Sequence, residues 1–240
     1  MNHFLAKFSI AIVFFGVSLI TACFCDAAFA KDNTTINIGI YAPFSNESAF
    51  IGRQMLGAME IARDQLKSPI NYEFYTLDTM KNNADAARIL KKFIDTHHIN
   101  ILLSEGAESG ALVAPLAKKN NIIHFCLTKD SVIADGQNNF LAQSPNHQQA
   151  MVLTKTMKPE FIAQFKQEYF SYPVTEAGYA FDIFHLLHHS VVLAMKTKPN
   201  FSSQIIATHL LALESGTGVM GTFKLDKKGL SYKKQQILTA

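Results

Sequence analysis

From Ile36 to Leu127 two kinds of apolar pattern alternate, and this alternation restricts the fold more than any other feature of the chain. "INIGIYA" is a short, nearly continuous apolar run ended by Pro43, and "FIGRQMLGAMEIARDQL" follows with Ile51, Met55, Met59, Ala62 and Leu66 at helical spacing. The unit then repeats. "INYEFYTLD" alternates through Tyr72, Phe74 and Thr76, and "ADAARILKKFIDTHH" sets Ala87, Leu90, Phe93 and Ile94 on one helical face. "INILLS", "ESGALVAPLAKKN" and "IIHFCL" supply a third strand, a third helix and a fourth strand. The spacing predicts strands near 36–41, 70–77, 100–104 and 122–127, with helices near 50–67, 84–97 and 109–119. Strands this short and apolar are covered on both faces, so the fold class is α/β, a mainly parallel sheet flanked by helices and joined by right-handed crossovers.

After Asn146 the rhythm breaks. Gln148–Met157 reads as helix and runs almost directly into a second helix, Pro159–Tyr169, with no strand between them. "EAGYAFDIFHLLHHSVVLAMK" predicts a long helix near 175–196, and "FSSQIIATHLLAL" another, capped by Ser202 or Ser203. Glycines at 216, 218, 221 and 229 punctuate a final stretch of short strands and turns.

The first thirty residues are not part of this pattern. Lys7, an apolar run and the small-residue motif Ala28-Phe29-Ala30 before Lys31 form a secretory signal, so residues 1–30 are a signal peptide and 31–240 the exported domain. The run is short for a membrane span of about 20 residues. An alternative signal is present: Ile20-Thr21-Ala22-Cys23 has the form of a lipobox, whose acylated Cys23 would anchor the chain as a membrane lipoprotein instead of releasing it into the periplasm. Cleavage at Ala30 leaves Cys126 as the single cysteine, without a disulfide partner and set in the apolar "IIHFCL". The net charge of +3, with 17% charged residues evenly spread, carries no stripe for nucleic acid.

Catalytic signatures are missing. There is no G-x-S-x-G elbow, no H-E-x-x-H and no phosphate loop, so an enzyme is not expected and no cofactor is implied. Asp182, His185, His188 and His189 form the sharpest metal-like constellation, with His185 and His189 one helical turn apart. No third ligand comes from a separate element, and structural or solvent-facing histidines are the expectation.

In order and spacing, several segments together resemble the type I periplasmic solute-binding proteins of ABC transporters, of the leucine/isoleucine/valine-binding kind. They are "IGIYAPFS", Gly52 with Gly57-Ala58 and Ala62, "DTMKNNADAARILKKFI", "ILLSEGAESGALVAPLAKKNNIIHF", "FLAQSPNHQQA", "FKQEY", "AGYAFDIFHLL" and "GVMGTFKLDKKG". The resemblance implies a clam of two α/β lobes with ligand in the cleft. Text like "PNHQQA" would open the second lobe, and roughly a hundred residues would separate it from text like "FKQEYFSYP", the length of one α/β domain. Here the gap is closed, which implies one lobe of the fold with a seam near 147–165 and most of the second lobe deleted.

What this implies for function is an exported component of a branched-chain-like amino-acid uptake system, with weak binding. The lobe that remains would hold the ligand's carboxylate at a helix N-terminus after the third strand, which makes Ser104, Gly106, Ala107 and Ser109 candidates, with Thr128 beside them. Ser109 fits equally as a helix cap, and Glu105 and Glu108 add negative charge in the same loop. Phe50 and Ile51, before the first helix, match where the family packs the ligand side chain, and fit equally as loop anchors. The family's acidic partner for the ligand ammonium comes from the second lobe and has no match here. The resemblance gives the helix around Asp182 a packing role. The implied partners are a small amino-acid-like ligand and an ABC permease or other envelope protein. The competing functions are an envelope interaction or regulatory module on the same scaffold, and a remnant without activity.

Overall fold

Residues 34–79, 85–128, 130, 132–142, 157–197 and 201–232 are described by the structure, a computed structural model. They form one eight-stranded sheet in the order β2-β1-β3-β4-β5-β8-β7-β6. The strands are β1 Thr35–Ala42, β2 Asn71–Asp78, β3 Ile101–Glu105, β4 Ile123–Leu127, β5 Asn139–Ala142, β6 Ser215–Gly218, β7 Gly221–Asp226 and β8 Gly229–Tyr232. From β2 through to β8 every pairing is parallel; β8–β7 and β7–β6 are antiparallel. Ile38 of β1 lies opposite Phe74 of β2 on one side and Ile101 of β3 on the other.

The helices are α1 Ala49–Leu66, α2 Ala86–Thr96, α3 Ala107–Asn120, α4 Pro159–Tyr169, α5 Thr175–Thr197 and α6 Ser203–Leu211. Because side chains alternate across a strand, the sheet has two apolar faces. Ile36, Ile38, Ile40, Leu103 and Phe125 pack with Met55 and Met59 of α1 and with α4, α5 and α6. Leu102 and Tyr41 on the other face pack with Leu90, Phe93 and Ile94 of α2 and Val113 and Ala117 of α3. The four strands and four helices whose limits the spacing predicts are found within two residues at each end.

Four differences are informative. Strand β5 lies in "NFLA", four fully buried residues that sequence periodicity did not single out, because so short a run acquires strand identity only from pairing with β4 and β8. Helix α3 begins at Ala107 with Gly106 as N-cap, so Ser109 is the third helical residue and does not cap. Phe50 and Ile51 lie inside the first turn of α1, not in the loop before it. Ser202 is the N-cap of α6, but through its backbone, since its side chain makes no capping bond. The helix expected over 148–157 and the signal segment lie outside the described residues, apart from Met157, which is buried just before α4.

The closing hairpins are set by two aspartates. Asp182 on α5 accepts the N–H groups of Val219 at 2.6 Å and Met220 at 3.1 Å, the two residues that turn the chain from β6 to β7. Asp226 accepts the N–H groups of Lys228 and Gly229 at the next turn. Gly229 has φ 124°, and a Cβ there would stand 2.1 Å from the Leu141 carbonyl of β5, so only glycine permits β8 to pair there.

Candidate functional site

The order β2-β1-β3 places a topological switch point between β1 and β3. The chain leaves β1 for α1 on one face of the sheet and leaves β3 for α3 on the other, so the two loops diverge at the carboxyl ends of the strands. A crevice follows from that divergence. It has a volume of about 400 Å³, between Ser45, Asn46 and Ser48 after β1, Asp78 and Thr79 at the end of β2, and Glu105–Ser109 at the start of α3.

Two helices begin at this crevice, with Ser48 and Gly106 as their N-caps. At α1 the first-turn donors are already taken, Ala49 by the Asn46 carbonyl, Ile51 by the Ser48 carbonyl and Gly52 by the Pro43 carbonyl, whereas the N-terminus of α3 turns the partial positive charge of its first turn toward the crevice. Gly106 has φ 86°, the left-handed region that glycine enters without strain, and the α3 ladder starts with the Gly110 N–H donating to its carbonyl at 3.0 Å. Asp78 holds the opposite rim by accepting the Phe44 N–H at 3.1 Å. Burial, reinforced by Glu176, raises the pKa of Glu105.

Of the residues singled out from sequence, Gly106, Ala107 and Ser109 come together on this crevice, and Ser109 is buried. The other four do not line it. Thr128 is buried and its Oγ1 accepts the Asp130 N–H in its own loop. Phe50 is half exposed, and Ile51 packs against the core beneath α1. Ser104 points under α3, its Oγ 2.8 Å from His124 Nε2. Ser45, Asn46, Ser48, Asp78 and Thr79 went unnoticed in the sequence, where a Ser/Asn cluster after a strand signals only turn and cap chemistry; the strand order is what brings them to the site.

Ser104, His124 and Asn139 form a row across β3, β4 and β5. Asn139 Nδ2 donates to Asp135 and to the Ala114 carbonyl, so its Oδ1 faces His124 Nδ1 at 2.8 Å. The proton is therefore on Nδ1, and Nε2 accepts from the Ser104 hydroxyl. Burial lowers the His124 pKa to about 4 and keeps the ring neutral. Ser104 and His124 are wholly buried, so the row ties strands together and offers no nucleophile to a substrate. Burial likewise pushes the neighbouring Cys126 thiol up to about 12.

The metal-like constellation is divided among other tasks. Asp182 also accepts the Tyr232 hydroxyl at 3.0 Å, and His188 Nδ1 lies 2.9 Å from the Tyr72 hydroxyl. Among the described residues no three His, Cys, Asp or Glu side chains are grouped to hold a metal ion.

No protein-family model matches this chain, and no curated protein matches it. Solved structures do. An R. palustris solute-binding protein of an ABC transporter, in complex with benzoate, superposes with a TM-score of 0.65 at 11% identity, over 82% of this chain and 91% of that one. The fold is that of the type I periplasmic binding proteins. The leucine-binding protein of Thermotoga maritima gives a TM-score of 0.63 at 11% identity, over 81% and 93% of the two chains. The branched-chain amino acid transporter substrate-binding protein of Streptococcus pneumoniae, in complex with isoleucine, gives 0.58 at 12% identity, over 80% and 92%. At these identities the likeness establishes the fold.

Proposed function

We propose that this chain is an exported solute-binding component of an ABC-type amino-acid uptake system, reduced to little more than one lobe and binding its ligand weakly. The observation that carries this is the crevice at the switch point, where the N-termini of α1 and α3 converge in the solute-binding fold. The N–H groups of Ala107 and Ser109 would receive a ligand carboxylate, with the Ser109 hydroxyl as a further donor. Only residues 143–156 lie between β5 and the buried Met157 ahead of α4, far too few for an α/β lobe of about 100 residues. Among the described residues none forms an opposite wall that would supply a partner for the ammonium and exclude water.

Each charge-assisted hydrogen bond forgone costs roughly 1.5–3 kcal/mol. Losing two or three lowers affinity by several powers of ten, so dissociation constants for leucine-like amino acids fall in the millimolar range. Isothermal titration of the purified monomer with leucine, isoleucine and valine tests this. Micromolar affinity would refute the reduced site.

An envelope-interaction role is favoured by one observation. Phe170 is 90% exposed and Tyr172 64%, on a loop held to α1 by Gln54, which bonds the Ser171 hydroxyl and the Val174 N–H. Phe50, one turn before Gln54, is 49% exposed. A photo-crosslinker at position 170 that captures no envelope protein in cells would dismiss this alternative.

A further inference from the structure

A second cavity, of about 500 Å³, opens between α4, α5 and the β6–β7 hairpin, and shares no lining residue with the first. Pockets that enclose small molecules span about 300–1,000 Å³, so a ligand of modest size fits here. Phenylalanine rings form the apolar wall. Phe161 and Phe181 tilt against one another with centroids 4.8 Å apart, and Phe223 closes the hairpin side. A further flat ring suits such a wall, since aromatic rings gain from tilted or offset contact beyond the area they bury.

The charged groups at the mouth decide the rest of the ligand. Lys158 and Glu160 stand on either side of Pro159 at the start of α4, and both line the cavity and are exposed. Residues two apart on a helix do not face one another. The ion pairs among the described residues, Arg63–Asp64, Arg88–Asp85 and Lys91–Asp95, involve neither of them. The Lys158 N–H donates to the Val219 carbonyl at 3.0 Å, which ties the base of this side chain to the hairpin. Asp182 also borders the space, but its carboxylate already accepts the Val219 and Met220 N–H groups and the Tyr232 hydroxyl. Gln65 and Gln164 at the rim bond each other at 2.7 Å. One positive and one negative side chain, neither in an ion pair, therefore flank an aromatic wall.

We propose that this cavity binds a zwitterionic aromatic amino acid, with its ring against Phe161 and Phe181, its carboxylate paired with Lys158 and its ammonium with Glu160. The site is separate from the crevice at the switch point and needs neither that crevice nor its ligand.

The test uses L-tryptophan, because the chain contains no tryptophan and the indole emission of the ligand is read without background. Titrated with the purified protein, that emission should move to shorter wavelength as the ring leaves water. Tryptamine, which lacks the carboxylate, and indole-3-propionate, which lacks the ammonium, should each bind about three- to fivefold more weakly, the worth of one solvent-exposed ion pair. Lys158→Met should remove the advantage of tryptophan over tryptamine and keep its advantage over indole-3-propionate, and Glu160→Gln should do the reverse. Both positions are exposed, so neither change disturbs the core. No binding of tryptophan, an analogue that binds as tightly as tryptophan, or advantages left unchanged in either variant would overturn the proposal. Ser109→Asp, which acts in the crevice, should leave tryptophan binding as it is. A loss there, with Lys158→Met and Glu160→Gln without effect, would place the ligand in the crevice and likewise overturn it.

Discussion

His124 Nε2 stands 2.8 Å from Ser104 Oγ across adjacent strands, and neither residue has exposed surface. The consequence is a pH dependence of stability. The folded pKa near 4 is below the ordinary value of 6.5, so as pH falls protons bind the unfolded chain first. His124 thus contributes stability that is present above about 6.5 and lost as pH falls toward 4, at most about 3 kcal/mol at one pKa unit per 1.36 kcal/mol. Urea unfolding across this range should show a shallower acid-side loss in His124→Gln than in the parent. An unchanged slope would refute the assignment.

Asp182 acts in the opposite sense. Burial raises its folded pKa to about 6, against the pull of the Val219 and Met220 N–H groups, the Tyr232 hydroxyl and Lys158. The folded protein then takes up this proton before the unfolded chain does, which offsets part of the histidine loss between about 6 and 3.8. Asp182→Asn should steepen the acid-side loss. It should also cost about 1–3 kcal/mol near neutrality, because one amide oxygen replaces two carboxylate oxygens before the β6–β7 turn. Thermal melts at two pH values measure both.

Gly57 is where α1 admits α4. A Cβ at this position would lie 2.6 Å from Cζ of Tyr169, whose hydroxyl donates to Glu60. Gly57→Ala should destabilise by about 1–3 kcal/mol through overpacking. Tyr169→Leu in the same chain should recover part of that cost, and a double-mutant cycle reads the coupling. Strict additivity would mean that the two helices do not meet there.

At the crevice, Ser109→Asp puts another carboxylate beside the first-turn N–H groups of α3. Any leucine binding measured by calorimetry should weaken at least tenfold, as expected from losing one charge-assisted bond and adding repulsion. Retained affinity would place the ligand carboxylate elsewhere.

Export is decided by mass. Protein from the envelope fraction should begin at Lys31; a lipid-modified start at Cys23 would support the lipoprotein alternative, and an unprocessed chain would exclude both.

The alternating sheet and helix order was legible because it is written in local periodicity. Ile51, Met55 and Met59 recur every four residues, and "ILLS" and "IHFCL" carry apolar side chains on both faces. Pro159 marked the start of α4 for an equally local reason, since proline fits the first helical turn. Ser109 misled as a cap because Gly106, three residues earlier, takes that position with a backbone angle that composition does not report.

The sequence by itself determined which segments are strands and helices, and through glycines such as Gly106 and Gly229 where the backbone must turn sharply. Only the tertiary structure decided where the crevice forms. Strand order sends α1 and α3 to opposite faces and brings Ser48, Asp78 and Ser109, far apart in the chain, to one crevice. The same packing takes Ser104 out of reach beneath α3 and commits Asp182 to the hairpin turn. The physical reason is that periodicity reports which face of an element is apolar, whereas burial and hydrogen-bond partners depend on what the other elements bring to that face.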